Sequence, residues 1–362
     1  MSVGKRSDAQ SEKSEEKKAK TPMIRLIALA LVNAVHAESY FMTMLGGSEY
    51  NSIDPYAAVA VGGQTFKFLF DSSTSGFWLS KAECDSCPSS SASPYRPQSA
   101  PIIHLATIME MTDGSKIHCQ LFRDQIEFTD AISLVGHVCA ATSVDDSLRS
   151  DMDGSVGMAP SSSTMAAAIG RLRSKLVTLY WKHPRAYGQQ RIGFIGMGDI
   201  KRDFILGTPR FVKTTTSSDS WTVESMGIVV NGHSYKSKYP VIINTAESYA
   251  AFEPNTFALI VVAIGASYDS VQKKYFVDYN HIFSLPSMKL FLGGEGLVLD
   301  FHPTDLVEFA FDQHPNNMVA LRCRMSQTAF NVIGNSILSN YHVVFDFDNR
   351  QIGFGAPIIA GL

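Results

Sequence analysis

The chain has 362 residues, a formal net charge of −3, and a composition that is 45% hydrophobic, 18% charged and 10% aromatic. This composition excludes an intrinsically disordered protein, because the chain can bury enough apolar surface to offset the entropy of ordering. The near-neutral charge gives no electrostatic basis for binding nucleic acid, and the length corresponds to two domains.

The first part of the chain has the pattern of a targeting region. Residues 1–22 are polar and charged, and we predict that they are disordered. Residues 23–37 have a basic start, an apolar run from Leu26 to Val35 and a small final residue, which is typical of a secretory signal. The run is shorter than the roughly 20 apolar residues that span a bilayer, so we expect no membrane span. A buried segment of the fold is the alternative. Cleavage of a signal would begin the mature chain at Glu38, outside the cell or in the endolysosomal lumen.

Beyond residue 45 the pattern is one of short strands separated by turns. β-Branched and aromatic residues are concentrated in four runs, at Tyr56–Val61, Thr65–Phe70, Cys119–Phe128 and Tyr341–Phe347. One helix is predicted over Ser163–Lys182, which has an apolar face and a Ser/Thr cap. The sequence therefore predicts a mainly β protein with few helices.

A weak internal repeat divides the chain into two halves. One apolar strand runs into the turn DSST at residues 71–74, and a second runs into NTAE at residues 244–247. A β-branched residue followed by glycine comes later in each half, at Gly157 and at Gly334, with nearly the same spacing from the turn. The repeat predicts two similar lobes, each with an apolar strand that ends in a small polar turn.

Four longer stretches follow one another in a recognisable order. They are FKFLFDSSTSGFWLS at 66–80, DGSVG at 153–157, FSLPSMKLFLGG at 283–294 and IGNSILSNYHVVFDFDNRQIGF at 333–354. Together they resemble the pepsin-like aspartic peptidases of the A1 family. The resemblance implies two β-rich lobes, 38–207 and 208–362, with a flap hairpin over a central cleft that binds a peptide or protein. It also implies a secreted monomer that needs no cofactor or metal.

The resemblance places Asp71 at the first catalytic position of the family and Asn244 at the second. Pepsin-like enzymes use two aspartates that share one proton, so that one carboxylate activates water while the other polarises the scissile carbonyl. An amide cannot ionise or exchange protons in this range, so the resemblance implies a degenerate dyad. Ser73 and Ala246 replace the glycines that follow the two positions, and Ser73 is expected to crowd the turn. Glu247 replaces a hydroxyl residue.

The flap is altered as well. Thr107–Ser115 is similar to the family's flap strand, with Met111 in place of its tyrosine and Thr112 in place of the next glycine. Methionine offers only soft apolar contact, so these positions imply a changed binding surface rather than a working flap. A strand residue packed under the hairpin is the alternative reading of Met111.

Three functions stay open on this evidence. The first is a peptidase homologue that has lost activity and binds peptides or proteins. The second is an active aspartic endopeptidase with an unorthodox site, using Asp71 with water or with Glu247. The third is a structural or storage-type secreted protein with no ligand. For Asp71 itself, the alternative is an ordinary polar turn residue after a strand.

The cysteines fit a secreted chain. Cys84 and Cys87 form a C-x-x-C pair, for which an oxidising compartment favours a disulfide over a redox or zinc site. Cys119 and Cys139 lie in two predicted strands of one lobe, and whether they pair stays open. Cys323 resembles one half of a family disulfide whose partner position holds a tyrosine here, so it is predicted to be unpaired and buried.

Overall fold

The structure is a computed structural model that describes residues 40–45, 56–84, 86–87, 94–111, 114–145, 152–181, 193–215, 219–237, 239–294, 296–308 and 317–358. The predicted disordered segment 1–22, the signal-like segment 23–37 and the flap residue Thr112 lie outside these ranges. Strands dominate the described residues, which confirms the mainly β class. None of the helices in these ranges is long and apolar enough to cross a membrane.

The first half of the chain contributes ten strands to one large sheet. Alternate residues of the third strand, Phe66, Phe68 and Phe70, are buried, as the period of two in a strand requires. The bounds are β1 Tyr40–Leu45, β2 Tyr56–Val61, β3 Gln64–Asp71, β4 Phe77–Ser80, β5 Ile103–Glu110, β6 Lys116–Thr129, β7 Ile132–Val144, β8 Gly154–Gly157, β9 Leu176–Trp181 and β10 Gly193–Met197.

The second half has shorter strands and most of the helical turns. Its strands are β11 Ile205–Lys213, β12 Thr222–Val223, β13 Ser225–Val230, β14 His233–Tyr235, β15 Val241–Ile243, β16 Ala250–Phe252, β17 Ser267–Asp269, β18 Lys274–Asp278, β19 Met288–Leu292, β20 Leu297–Phe301, β21 Met318–Ala320, β22 Cys323–Met325, β23 Asn331–Ile333, β24 His342–Asp346 and β25 Gln351–Pro357. The helices are α1 Ser163–Ile169, α2 Pro254–Ile264, α3 Tyr279–Ile282 and α4 Asn335–Leu338, with 3-10 turns at Arg202–Phe204 and Pro303–Leu306.

One sheet joins the two halves. Its order is β11-β25-β24-β9-β10-β1-β2-β3-β8-β4-β7-β6-β5, so β24, near the end of the chain, pairs with β9 of the first half. The remaining strands of the second half form three smaller sheets, β12-β15-β23-β16-β22, β14-β13-β19-β20 and β17-β18-β21. β24 and β25 form a hairpin, with Asp346 opposite Gln351.

The predicted helix over Ser163–Lys182 is wrong in its second half. Helix α1 is capped by Ser162, whose Oγ accepts a hydrogen bond from the Met165 amide at 3.2 Å, and it ends at Ile169, just before Gly170. The run LVTLYW then forms β9 in the middle of the shared sheet, between β10 and β24. β-Branched and aromatic residues pack well on a sheet paired at both edges, and this tertiary pairing outweighs the helical pattern.

The internal repeat is a structural repeat. In the first half β3 lies parallel to β8, and β4 pairs antiparallel with the same β8. In the second half β15 lies parallel to β23, and β16 pairs antiparallel with β23. Each half therefore contains a short pair of parallel strands directly beside the turn that the sequence singled out.

Candidate functional site

Both repeated turns are held by a close approach between backbone segments. Asp71, the last residue of β3, lies opposite Gly157, and Asn244 follows β15, which pairs with the strand that ends just before Gly334. A Cβ at Gly157 would lie 2.5 Å from the carbonyl oxygen of Gly76, and one at Gly334 would overlap carbonyl oxygens of the segment after Asn244. These two positions require glycine because the chain after each turn passes directly over them.

A reciprocal pair of hydrogen bonds joins the two turns. The Ser72 amide donates to Thr245 Oγ1 at 3.0 Å, and the Thr245 amide donates to Ser72 Oγ at 3.0 Å. Each hydroxyl also donates to a backbone carbonyl across the interface, and both residues are fully buried. Because Asp71 and Asn244 immediately precede these residues, the exchange brings the two positions together at the junction of the halves.

Asp71 is buried and surrounded by hydrogen-bond donors. Its Oδ1 accepts from the Ser73 amide and from Ser73 Oγ, each at 2.7 Å, and its Oδ2 accepts from Thr74 Oγ1 at 3.1 Å. Donors of this kind favour the ionised carboxylate. The Ser73 side chain, which the sequence suggested would crowd this turn, is accommodated because its hydroxyl faces the carboxylate.

Asn244 is oriented by its own turn in the same way. Its Oδ1 accepts a hydrogen bond from the Ala246 amide at 2.9 Å, which corresponds to the bond from the Ser73 amide to Asp71. Because the acceptor oxygen of Asn244 is used in this bond, its Nδ2 occupies the position that the second carboxylate oxygen of an aspartate would have. The site therefore has a carboxylate in one turn and an N–H donor in the other.

Glu247 is engaged in an ion pair. Arg324 Nη2 lies 3.4 Å from Glu247 Oε2, and the guanidinium carbon lies 3.6 Å from the centre of the Tyr249 ring. The Glu247 backbone is fixed as well, because its carbonyl accepts from the Asn335 amide at 2.6 Å. The sequence did not single out Arg324 or Tyr249; the only signal was a cation directly after Cys323.

The segment that the sequence predicted as the flap forms the β5–β6 hairpin, and two methionines lie on it. The Met111 amide donates to the Ser115 carbonyl at 2.8 Å, and the half-buried Met111 side chain packs against a small core cluster that contains Trp78. Met109 lies close to the Asp71 loop, since a Cβ at Gly76 would overlap its Sδ. Sequence reasoning missed Met109. The buried Trp78 Nε1 has no hydrogen-bond partner in the described part of the chain.

Two disulfides lie in the first half of the chain. Cys84 is bonded to Cys87, and Cys119 on β6 is bonded to Cys139 on β7, which resolves the pairing that the sequence left open. Cys323 is free and buried, as predicted, and burial raises the pKa of its thiol. Across the residues that the structure describes, no group of His, Cys, Asp or Glu side chains could hold a metal ion.

Two β halves that meet at a pair of hydrogen-bonded polar turns define the architecture of the pepsin-like class. A family model described as eukaryotic aspartyl protease matches residues 56–357. The chain belongs to the eukaryotic aspartyl protease family, and the bilobal β fold expected from the sequence is confirmed.

Individual relatives are distant in sequence. Syncephapepsin from Syncephalastrum racemosum is 24% identical over 307 residues, which cover 81% of this chain and 75% of that protein. A probable aspartic-type endopeptidase CTSD from Arthroderma benhamiae is 24% identical over 349 residues, covering 92% of this chain and 64% of that protein. Pepsin-2B from Gadus morhua is 21% identical over 320 residues, covering 83% and 94%. The chain spans just under two thirds of the Arthroderma protein.

Proposed function

We propose that this protein is a secreted pepsin-fold protein that lacks peptidase activity and binds peptides or proteins in the cleft between its lobes. The lobes correspond to 38–207 and 208–362, with the boundary inside β11, a strand of the shared sheet. The observation that carries the proposal is Asn244, which is held beside Asp71 by the same type of turn and cannot serve as a carboxylate. The disulfides and the signal-like segment support secretion.

The chemistry of peptide hydrolysis fails at Asn244. The reaction needs one group that takes a proton from water and another that donates a proton to the leaving amine. Asp71 can perform only one of these roles at a time, and a primary amide neither gains nor loses a proton between about pH 3 and 7.

Glu247 is a poor substitute for the missing carboxylate. Its side chain is 18% exposed and pairs with Arg324, whose guanidinium is stacked on Tyr249. Glu247 lies three residues after Asn244. To reach the dyad, its side chain would have to leave the ion pair with Arg324 and turn toward Asn244. The arrangement supports a structural role for the Glu247 carboxylate.

An active endopeptidase remains the second candidate, and two observations favour it. Several relatives carry names that end in pepsin or contain endopeptidase. Asp71 also keeps a buried, oriented carboxylate beside the second turn. A direct activity measurement separates the two candidates.

The test compares wild type, Asn244→Asp and Asp71→Asn on one fluorogenic peptide library between about pH 3 and 7, with and without pepstatin. We expect no pepstatin-sensitive turnover by the wild type or by Asp71→Asn. Pepstatin-sensitive turnover by the wild type that is lost in Asp71→Asn would overturn the proposal. Peptide binding is measured on the same preparations by fluorescence polarisation. A chain that binds no member of the library would favour the structural or storage function.

Asn244→Asp alone is expected to give little activity. The Ser73 side chain would still stand in the turn beside Asp71, and the flap would still lack a hydroxyl at Met111. General acid–base catalysis is typically worth about 10²–10⁴-fold, and misplacement by about 1 Å can cost about 10²-fold. A second variant that adds Ser73→Gly, Ala246→Gly, Met111→Tyr and Thr112→Gly tests these positions together. Strong rescue by Asn244→Asp alone would show that they contribute little.

A further inference from the structure

A cavity of about 430 Å³ lies beside β11, and no residue of the two repeated turns lines it. Residues 211–215, from β11 and the segment directly after it, form one part of its wall. The rest comes from the β19–β20 hairpin and two neighbouring residues, namely Leu292, Gly293, Gly294, Leu297, Glu224 and Gln351. We call this cavity the edge pocket. Its volume is within the range of roughly 300–1,000 Å³ that is typical of ligand pockets.

The backbone of β11 presents hydrogen-bonding groups to the edge pocket. β11 is the last strand of the shared sheet, and no other described strand pairs with its outer edge. On the inner edge, which pairs with β25, the Thr214 amide donates to the Arg350 carbonyl at 3.0 Å. In an antiparallel pair, every second residue directs both its N–H and its C=O to the partner strand. Val212 therefore bonds toward β25 as Thr214 does, and the N–H and C=O groups of Phe211 and Lys213 point to the outer edge. Both of these residues line the edge pocket.

The first half of β11 is protected against pairing with another strand, whereas the second half is not. Natural edge strands are protected by proline, by bulges and by charged side chains. In β11 the pairing register shifts between Leu206 and Arg210, and Pro209 lies in this irregular part. From Arg210 to Lys213 the register is regular. The Lys213 ammonium donates to the Asn349 carbonyl at 3.0 Å, so it is held at the turn between β24 and β25. The stretch of edge beside the pocket is therefore able to pair with another extended segment.

The side chains of the edge pocket indicate which segment would fit. Leu292 and Leu297 are buried, and they offer an apolar wall to an aliphatic side chain. A Cβ at Gly294 would meet no atom within 4 Å, so the lining is open there. Glu224 is exposed, and no cation of the described residues lies within ion-pair distance of its carboxylate. A carboxylate without a partner beside an apolar wall favours a ligand that carries a cation.

We propose that the outer edge of β11 binds an extended segment of a partner protein as an additional strand. An aliphatic side chain of this segment enters the edge pocket, and a Lys or Arg of the segment lies beside Glu224. Backbone hydrogen bonds to Phe211 and Lys213 supply affinity, and the pocket selects the side chain, as in other cases of strand addition. This site is separate from the turns that carry Asp71 and Asn244, so it adds a partner surface to the proposed function of the cleft.

The experiment measures hydrogen exchange at the β11 amides of the full secreted chain by NMR. In the free protein, the Phe211 and Lys213 amides should exchange faster than the Val212 amide, because only the latter is bonded to β25. The probe is a pool of acetylated and amidated nine-residue peptides. Valine is fixed at the centre, a lysine is fixed two residues away on each side, and the other positions are randomised polar residues. In about tenfold excess over its Kd, the pool should slow exchange at the two outer amides by about tenfold.

Two N-methylated pools test whether the peptides bind as a strand. A strand directs alternate amides to each of its two neighbours. One pool is methylated at the central amide and at every second amide from it, and the other pool at the amides between. Only one of the two pools should bind about tenfold more weakly, because it alone loses the donors that face β11. Replacement of the two lysines by glutamine should weaken binding by up to about fivefold, as for a partly exposed ion pair.

Two matched pairs of variants test the protein side. Lys213→Pro removes the outward N–H but no bond to β25, and edge strands tolerate proline, so the variant should fold and bind the pool more weakly. Lys213→Ala removes the same side chain but keeps the N–H, and it should bind like the wild type. Glu224→Gln should abolish the difference between the lysine and glutamine pools. Asp130→Asn, at an exposed position between β6 and β7, should keep that difference.

Three results would overturn the inference. If no pool slows exchange at Phe211 and Lys213, or if both methylated pools bind equally well, then no strand is added at β11. Protection of these amides in the free protein that increases with protein concentration would show that a second copy of the chain covers the edge. Protection that is independent of concentration would show that the chain covers its own edge. Each of these results leaves the activity and peptide-library assays of the cleft unchanged, so failure here is distinguishable from failure of the proposed function.

Discussion

His342 should make the protein less stable in acid. Its side chain is fully buried on β24, where its ring centroid lies 6.1 Å from that of Tyr180 and 5.3 Å from that of Phe194. Neither ring nitrogen has a hydrogen-bond partner among the residues described. A charged group, Lys201 Nζ, lies 5.2 Å from the centre of the Phe194 ring. Burial lowers the pKa of His342 from 6.5 to about 4.

The direction of the pH effect follows from proton binding. In the unfolded chain the imidazole takes up a proton below about pH 6.5, whereas in the folded protein it stays neutral down to about pH 4. The unfolded state therefore binds more protons between these values, so stability falls as the pH decreases from about 6.5 to 4. A shift of about 2.5 pKa units corresponds to a loss of about 3 kcal/mol, which is reached near pH 4 and is constant below it.

The assay is thermal and urea unfolding of wild type and His342→Phe at several pH values between 4 and 7. Phenylalanine keeps the aromatic packing but cannot be protonated. As the pH falls from 7 to 4, the free energy of unfolding of this variant should therefore decrease by about 3 kcal/mol less than that of the wild type. In a chain of this size the difference corresponds to about 4 °C in Tm. The exposed His137 serves as the control, and His137→Gln should keep the wild-type pH dependence. Equal acid sensitivity of His342→Phe and wild type would refute the reasoning.

Three further predictions concern buried groups elsewhere in the fold. Trp78→Phe and Trp221→Phe should both lower the free energy of unfolding, and the loss should be about 1–3 kcal/mol larger for Trp221→Phe. Trp221 Nε1 donates to a backbone carbonyl at 2.7 Å, whereas Trp78 Nε1 has no such partner in the described residues. Urea unfolding measures both, and equal losses would contradict the difference. Cys323 should be the one thiol per chain that reacts with Ellman's reagent after denaturation without reductant, and it should react slowly in the native protein; a second reactive thiol would contradict the disulfide pairing. Gly334→Ala should prevent folding or lower Tm strongly, whereas Gly294→Ala, whose Cβ would meet nothing within 4 Å, should be tolerated. Similar Tm values for these two variants would show that the turn is not tightly packed.

The strands and the repeated turns could be predicted from the sequence because their signals are local. In an apolar strand that ends in a polar turn, the side chains alternate between two faces with a period of two, and the turn marks where the strand ends. The recurrence of this pattern after 173 residues marks the second half of the chain. The segment that became β9 shows the limit of local signals. Its residues fit a helical pattern, and only pairing with β10 and β24 from distant parts of the chain makes it a strand.

The side chains around the site were harder to predict for the same reason. Arg324 contacts Glu247 because β22 lies parallel to β16, with Arg324 opposite Ala251. Met109 is close to the Asp71 loop because the β5–β6 hairpin folds over it, and no spacing in the sequence encodes that approach. The residues found by motif lie on the strands and turns themselves, whereas the missed residues reach the site only through tertiary pairing.

Under the proposed assignment of Asp71 and Asn244 to the two catalytic positions, the junction of the two halves explains how the protein would keep the peptidase fold without a second aspartate. The bonds that join the turns come from the hydroxyl and amide of Ser72 and Thr245, and none of them uses a carboxylate. Each dyad side chain is oriented by an amide two residues further on, and the Oδ1 of Asn244 satisfies that donor as well as a carboxylate would. Exchange of Asp for Asn at this point therefore removes an ionisable group without leaving a buried donor unpaired. Under the proposed assignment, such a change would have little effect on stability and a large effect on catalysis, so membership of the family does not by itself establish hydrolysis by this chain.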